Sequence, residues 1–435
     1  MRRTFATLFC VCLLAGAVRA QDAEKRDETY SLHGQSTLIS QYHGGFPEEY
    51  SGANSLLARR EIRTSFTATL FAGGRLWSGG EIYVNPELAQ GRGLSGVLGV
   101  AGFTNGEIAR VSSPSLTLYR ARLFLRHTFG LGGEREYMEA DQNQLAGYQD
   151  SSRLVLTLGN FSALDIFDDN SFSHEPRTQF INWALLTNGA WDFPADARGY
   201  TNGIAMEWIN PGWALRGGLL MEPREANGLP LDSRFSKAHG GVLELERTYM
   251  LGPMPGKVRL LAYSNRANMG NYRAALAVAS GTPDVVQTRS LSTKHGWGLN
   301  AEQQLTASLG AFVRAGWNDG KTESWAFTEI DRTLSCGISL KGTAWNRAED
   351  VFGVAGIVNG LSQDHRDYLA AGGLGFIIGD GRLNYGRESI LESYYSLAVV
   401  KGLSLSLDYQ YIQNPAYNKD RGPVSVWSSR IHYEF

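Results

Sequence analysis

Cysteine is nearly missing from this chain: Cys10 and Cys12 fall within the first twenty residues, and Cys336 stands alone in the rest. A single cysteine cannot close an internal disulfide or build a cysteine-based zinc site, so no covalent or metal staple is expected. An excess of either charge is also missing, with 41 basic against 43 acidic residues, which argues against a nucleic-acid partner. After residue 20 no apolar run reaches the roughly 20 residues of a membrane-spanning helix. Neither His-Glu-x-x-His nor Gly-x-Ser-x-Gly occurs. Gly91 to Gly96 matches a dinucleotide fingerprint only by letter, without the flanking strand and helix. Gly252 to Lys257 is one residue short of a P-loop and places Val258 where a hydroxyl should bind magnesium. Without a nucleophile and base in a proposing pattern, neither an enzyme nor a cofactor is expected.

The first twenty residues are a different matter. Arg2 and Arg3 precede the apolar stretch Phe5 to Val18, and Val18-Arg19-Ala20 has the small-x-Ala form of a signal-peptidase site. Residues 1–20 are therefore expected to be a signal peptide cleaved after Ala20, and 21–35 a polar N-terminal segment. Residues 36–435 form one domain, since no Pro-rich linker or repeat divides them.

Glycine, at 51 residues, is abundant, and segments of two-residue alternation recur to the end of the chain. Leu403 to Tyr411 places Leu and Tyr on one side and Ser, Asp and Gln on the other. In the terminal strand Trp427, Ile431, Tyr433 and Phe435 share a face, and Ser428, Arg430, His432 and Glu434 share the opposite one. A wall facing hydrocarbon outside and water inside reads this way. Asn-Gly and Asp-Gly pairs at 105, 188, 227, 319 and 380, with Asn210-Pro211-Gly212, suggest tight hairpins between strands. Longer polar stretches are expected over 85–114, 132–150, 161–201, 223–237, 265–295 and 414–423, and a short helix over Ala274 to Ala279. The expected fold is all-β: a transmembrane antiparallel β-barrel of the outer membrane with about 16 strands, fourteen to eighteen fitting the length. Two alternatives stay open, an outer-membrane barrel enzyme and a secreted all-β sugar-binding protein.

Three groups of residues are candidates for a substrate path. Alternation from Leu116 to Phe129 places Arg120, Arg122 and Arg126 on one face, and an arginine on a lipid-facing wall is costly, so all three are expected in the lumen. There they either supply donors to hydroxyl-rich solutes or only balance facing carboxylates such as Glu207 and Glu244; Arg216 joins the path on the same grounds. The cluster Asp165, Asp168 and Asp169, extending to Glu175, suits an inward-folding loop lining a passage, with a catalytic pair or a structural cation as lesser readings. Trp183 and Trp191, with Phe193, lie in the same stretch, and an aromatic ring beside fixed polar groups suits a pyranose.

From Leu158 to Phe435, and less clearly from about Ser36, the chain resembles the carbohydrate-selective porins of the OprB family. The resemblance rests on Leu158-Gly159-Asn160-Phe161, Asn188 to Pro194 and Tyr200-Thr201-Asn202-Gly203. In the C-terminal third it rests on Leu361 to His365, Gly379-Asp380-Gly381, Glu388 to Tyr395, Asp408 to Ile412, and Asn414 to Val424. It implies a 16-stranded outer-membrane barrel of a Gram-negative bacterium that admits small, glucose-like carbohydrates by passive diffusion. The partners then are small carbohydrates, outer-membrane lipid, and an assembly machinery that reads the C-terminal strand.

Overall fold

The computed structural model describes residues 25–435; the expected signal peptide, Cys10, Cys12 and the cleavage site at Ala20 lie outside the described residues. Alternating side chains dictate a wall with two faces, and the strands supply it. They are β1 (Tyr30–His43), β2 (Glu61–Trp77), β3 (Gly80–Gly91), β4 (Thr117–Gly130), β5 (Arg135–Met138), β6 (Gly147–Asp150), β7 (Arg153–Phe161), β8 (Thr201–Asn210) and β9 (Trp213–Leu220). There follow β10 (His239–Leu251), β11 (Met254–Met269), β12 (Ser290–Gln304), β13 (Leu309–Asn318), β14 (Arg332–Gly342), β15 (Arg347–Gly360), β16 (Glu388–Val400), β17 (Leu403–Gln413) and β18 (Val424–Glu434). All but β5 and β6 join one closed antiparallel barrel, which makes 16 wall strands, and β1 pairs with β18 to complete the circle. Strand β1 starts at Tyr30, so the end of the stretch expected to be a polar segment over 21–35 belongs to the wall.

Strand β18 keeps the expected faces: Trp427 and Phe435 are exposed, while Ser428, Arg430 and His432 are buried inside. On β17, Leu407 is 73% exposed between an upper belt of Tyr409, Tyr411 and Trp427 and a lower belt of Tyr433 and Phe435. Short turns join the strands at the end where Phe435 lies, as at Asn210-Pro211-Gly212 and Lys401-Gly402. Gly402 has φ +77°, and a Cβ there would collide with the Glu434 carbonyl. That end faces the periplasm in barrels of this kind. The other Asn-Gly and Asp-Gly pairs sit inside long loops at the opposite end, where they turn the chain without joining neighbouring strands. Two of those loops, 319–331 and 361–387, went unseen in the sequence, and of the stretch 265–295 only the two ends are strand, 265–269 in β11 and 290–295 in β12.

The short helix expected near Ala274 is α2 (Tyr272–Val278), capped by Asn271 accepting from the Ala274 amide at 2.9 Å. Two helical segments were not foreseen, the single turn α1 (Trp183–Leu186) and α3 (Gln363–Ala370). Among the described residues no helix is long and apolar enough to cross a membrane. The hydrophobic core is not between layers but inside the barrel, where loops 92–116 and 162–200 pack Phe103, Phe167, Trp183, Trp191 and Phe193 against one another.

The one long connection at the periplasmic end, 131–152, carries the β5–β6 hairpin and is tied to the N-terminal segment. The Ala146 amide donates to Glu28 and the Tyr148 amide to Asp27, both at 2.9 Å.

Placing an arginine on the lipid-facing wall near the midplane costs about 2–4 kcal/mol, whereas lumen positions tolerate it. Leu407→Arg is therefore expected to lower the urea midpoint of the heat-modifiable barrel markedly. Ser404→Arg, which lines the open space at the periplasmic end with His432 and Glu434, is expected to leave it nearly unchanged. Equal losses would show that the assigned faces are wrong.

Candidate substrate passage

The inward loops are held by side chains of the wall. Glu388 on β16 accepts from the Ala101 and Gly102 amides at 3.0 and 2.8 Å, and Glu392 from the Ile181 and Asn182 amides at 2.6 and 3.0 Å. Glu61 on β2 receives the Ser95 amide, Glu244 on β10 the Asp168 amide, and Glu302 on β12 the Ser171 amide. The Thr104 carbonyl accepts from both Gln41 on β1 and Gln410 on β17, at 2.8 and 2.9 Å. Each contact gives a carboxylate or amide something to bind inside the barrel and satisfies a loop N–H or C=O that would otherwise be buried alone.

Between these loops and strands β2, β3 and β4 lies a space that opens to solvent. One side is polar. Arg177 Nε donates to Glu107 at 2.8 Å, Thr69 to Glu87 at 2.6 Å, and the Tyr119 hydroxyl also donates to Glu87. Arg122 holds Asp165 through two parallel bonds of 2.7 and 2.6 Å and lies 5.2 Å from the Tyr200 ring centroid. The remaining Arg122 nitrogen, Nη1, is buried without a partner. The other lining is aromatic: Trp183 stacks on Phe103 at 4.8 Å, and Phe193 stacks on Phe327 at 5.0 Å. Burial alone would raise the Asp165 carboxyl, but the charge of Arg122 outweighs it and holds Asp165 below the usual carboxylate range. At Glu107 burial wins, and Arg177 only partly offsets it, so this carboxyl is pushed up.

The sequence-predicted residues separate into distinct places. Arg122, Asp165 and Trp183 line this space. Arg126 instead donates to the Asn143 carbonyl at 2.8 Å and covers Tyr83, so it holds the periplasmic connection. Arg120 is not on the lumen face. A bulge leaves Ala121 without a partner, since Asn85 pairs with Arg122 and Pro86 with Arg120. The extra residue reverses the alternation, turning Tyr119 inward and Arg120 outward to an exposed position beside Leu118.

Asp168 is buried as an anchor, accepting from the Asn188 amide at 2.6 Å and facing Arg314 at 3.3 Å. Asp169 is half exposed and pairs with Arg259 at 3.3 Å. Trp191 is fully buried against Phe167 and Tyr263, away from the passage. Glu207 and Arg216 belong to a ladder of alternating charge on the inner wall, in which Arg216 bonds Glu207, Glu244 and Glu246, and Arg259 continues to Glu246 and Glu302. Sequence reasoning missed Glu87, Glu107, Tyr119, Arg177 and Tyr200. Glu87 was hidden because it falls in the stretch 85–114 expected to be loop, although Tyr83, Asn85, Glu87 and Ala89 carry the inward alternation on either side of Pro86.

A closed wall that is apolar outside and charged inside, around a solute-sized space pinched by inward loops, defines an outer-membrane diffusion porin. The chain belongs to the OprB family of carbohydrate-selective porins, whose family profile matches residues 53–435. It is an outer-membrane channel for carbohydrates of a Gram-negative bacterium. The high-pH structure of Pseudomonas putida OprB is similar over 94% of each chain, with a TM-score of 0.70 at 18% identity. The low-pH structure of that protein gives 0.50 at 15% identity over 94% of this chain and 93% of its own. The outer-membrane channel DcaP of Acinetobacter baumannii gives 0.51 at 10% identity over 95% and 99%. At these identities the likeness shows the fold. No curated protein matches the chain in sequence.

Because Glu107 takes up a proton above the ordinary glutamate value of 4.5, it is expected to neutralise early as pH falls. The guanidinium groups of Arg177 and Arg122 keep their charge, so the passage becomes more favourable to anions. Reversal potentials in a salt gradient should shift in that direction on mild acidification, and the shift should shrink in Glu107→Gln. Identical pH profiles for the two proteins would remove Glu107 from the passage.

Proposed function

We propose that the passage selects neutral, monosaccharide-sized sugars by placing a solute between its aromatic lining and its polar lining. The observation that carries this reading is one space with a polar wall of Arg122–Asp165 and Arg177–Glu107 facing an aromatic wall of Trp183, Phe103, Phe193 and Phe327. A pyranose offers an apolar face to an aromatic wall and hydroxyl oxygens to guanidinium donors. Arg122 with Asp165, and Arg177 with Glu107, keep the polar side close to neutral, which suits uncharged solutes. The passage needs no covalent step and no cofactor: desolvated hydroxyls exchange water for fixed donors and acceptors, and weak contacts let the sugar leave.

Arg122→Gln is expected to reduce glucose-driven liposome swelling at limiting concentration by about tenfold, the size of one charge-assisted hydrogen bond, while the barrel stays heat-modifiable. Trp183→Leu should reduce glucose flux more than potassium chloride conductance. Sugar flux and conductance falling in equal proportion in both variants would mean that pore width alone decides, and the sugar-site reading would be lost.

The C-terminal strand is the segment we assign to recognition by the assembly machinery. Its support is the exposed Trp427 and Phe435 on an otherwise regular terminal strand, with the Phe435 amide and carbonyl both paired to Gly34. Deleting Phe435 is expected to lower the amount of heat-modifiable barrel in outer-membrane fractions, and normal levels would remove that assignment.

A further inference from the structure

The bulge at Ala121 leaves an arginine where a membrane wall does not ordinarily hold one. Arg120 projects from β4 between Leu118, 67% exposed, and Leu123, 37% exposed, both on the lipid-facing side. Among the described residues it has no ion pair or hydrogen bond within the protein. It is also not isolated. Arg92 follows the outer end of β3, and Ser65 of β2 pairs with Gly91, which brings Arg59, Arg60 and Arg63 to the same rim. All five of these arginines are exposed, and only Arg63 has a carboxylate partner, Glu61, at 2.8 Å.

The acids of β2, of β3 near its outer end and of the β3–β4 loop lie on the other side of the wall, and Glu48 and Glu49 of the β1–β2 loop are paired with Arg421 and Arg382. Glu61, Glu87 and Glu107 are the only carboxylates in 53–66, 84–98 and 107–125, and their side chains are 4, 5 and 7% exposed. The β2–β4 sector is therefore balanced inside and purely cationic outside, at the long-loop end of the barrel. In an outer membrane that end meets the outer leaflet, whose lipid is a phosphorylated glycolipid. An arginine on a lipid-facing surface extends its head toward the interface, and a planar guanidinium matches a phosphate with two parallel bonds. Clustered basic residues at a membrane surface select anionic headgroups on the same grounds.

We propose that Arg59, Arg60, Arg92 and Arg120 form a docking site on the outer wall for the phosphate groups of an outer-leaflet glycolipid. The rim arginines reach the headgroup from above, and Arg120 reaches it from the hydrocarbon side. The site is separate from the sugar passage, because Arg120 and Arg122 leave the strand on opposite faces.

The test uses the folded barrel with lipid A as the probe. Wild type and a variant carrying Arg59→Gln, Arg60→Gln, Arg92→Gln and Arg120→Gln are extracted, delipidated in detergent, and titrated with lipid A, with its dephosphorylated form, and with inorganic phosphate as competitor. Wild type is expected to bind lipid A more tightly than the variant by about tenfold or more, and more tightly than it binds the dephosphorylated lipid. Heat-modifiability and glucose flux should be the same in both proteins. If the fourfold variant fails to assemble, Arg92→Gln with Arg120→Gln gives the same comparison with the rim pair intact. Equal lipid A affinity in wild type and variant overturns the site. Equal affinity for the dephosphorylated lipid, or displacement of lipid A by equimolar inorganic phosphate, overturns the assignment to a phosphorylated lipid.

Discussion

A loop amide donating to a glutamate on the inside of the wall is the contact on which the rest of this barrel depends. Strand alternation alone makes a hollow tube with polar side chains pointing into water. Glu61, Glu244, Glu302, Glu388 and Glu392 change that by offering carboxyl oxygens as acceptors at depth, each drawing a backbone N–H away from solvent. Once two long loops are drawn in, their aromatic residues have no solvent left to avoid and pack on one another. A hydrophobic core then forms in the one place where a plain tube has none, and the passage is the space that remains beside it.

The same logic separates the two sorts of charge in the lumen. Some groups are consumed by architecture: Asp168, Arg314 and Arg126 are committed to loop carbonyls, amides or one another. Others keep capacity in reserve, as Arg122 does with its unpaired nitrogen. Type and spacing alone do not separate these two fates, because the difference lies in what the folded loop brings to each group.

What could be seen in the sequence follows from that distinction. The walls of β17 and β18 were legible because their faces repeat every second residue, and the terminal aromatic marked the last of them. The faces of β4 were misread at one point, since a single unpaired residue, Ala121, reverses everything before it and leaves no trace in composition. Trp183 and Trp191 looked equivalent in one stretch of chain. They part because Trp183 begins a helical turn at the passage, while Trp191 is carried beneath it against Tyr263. Glu392 and its partner Ile181 are more than two hundred positions apart, so no local pattern could pair them.

The carbonyl of Thr104 touches Gln41 on β1 and Gln410 on β17, the strands on either side of β18. The circle of strands is completed only where the first meets the last, so this seam is the one join in the wall that does not connect neighbours in the chain. The loop carrying Thr104 spans it from within, as a rivet backs a riveted joint. Parting β1 from β18 would therefore break bonds on the inner surface as well as the ladder itself, and that second set of bonds opposes opening the barrel sideways into the membrane.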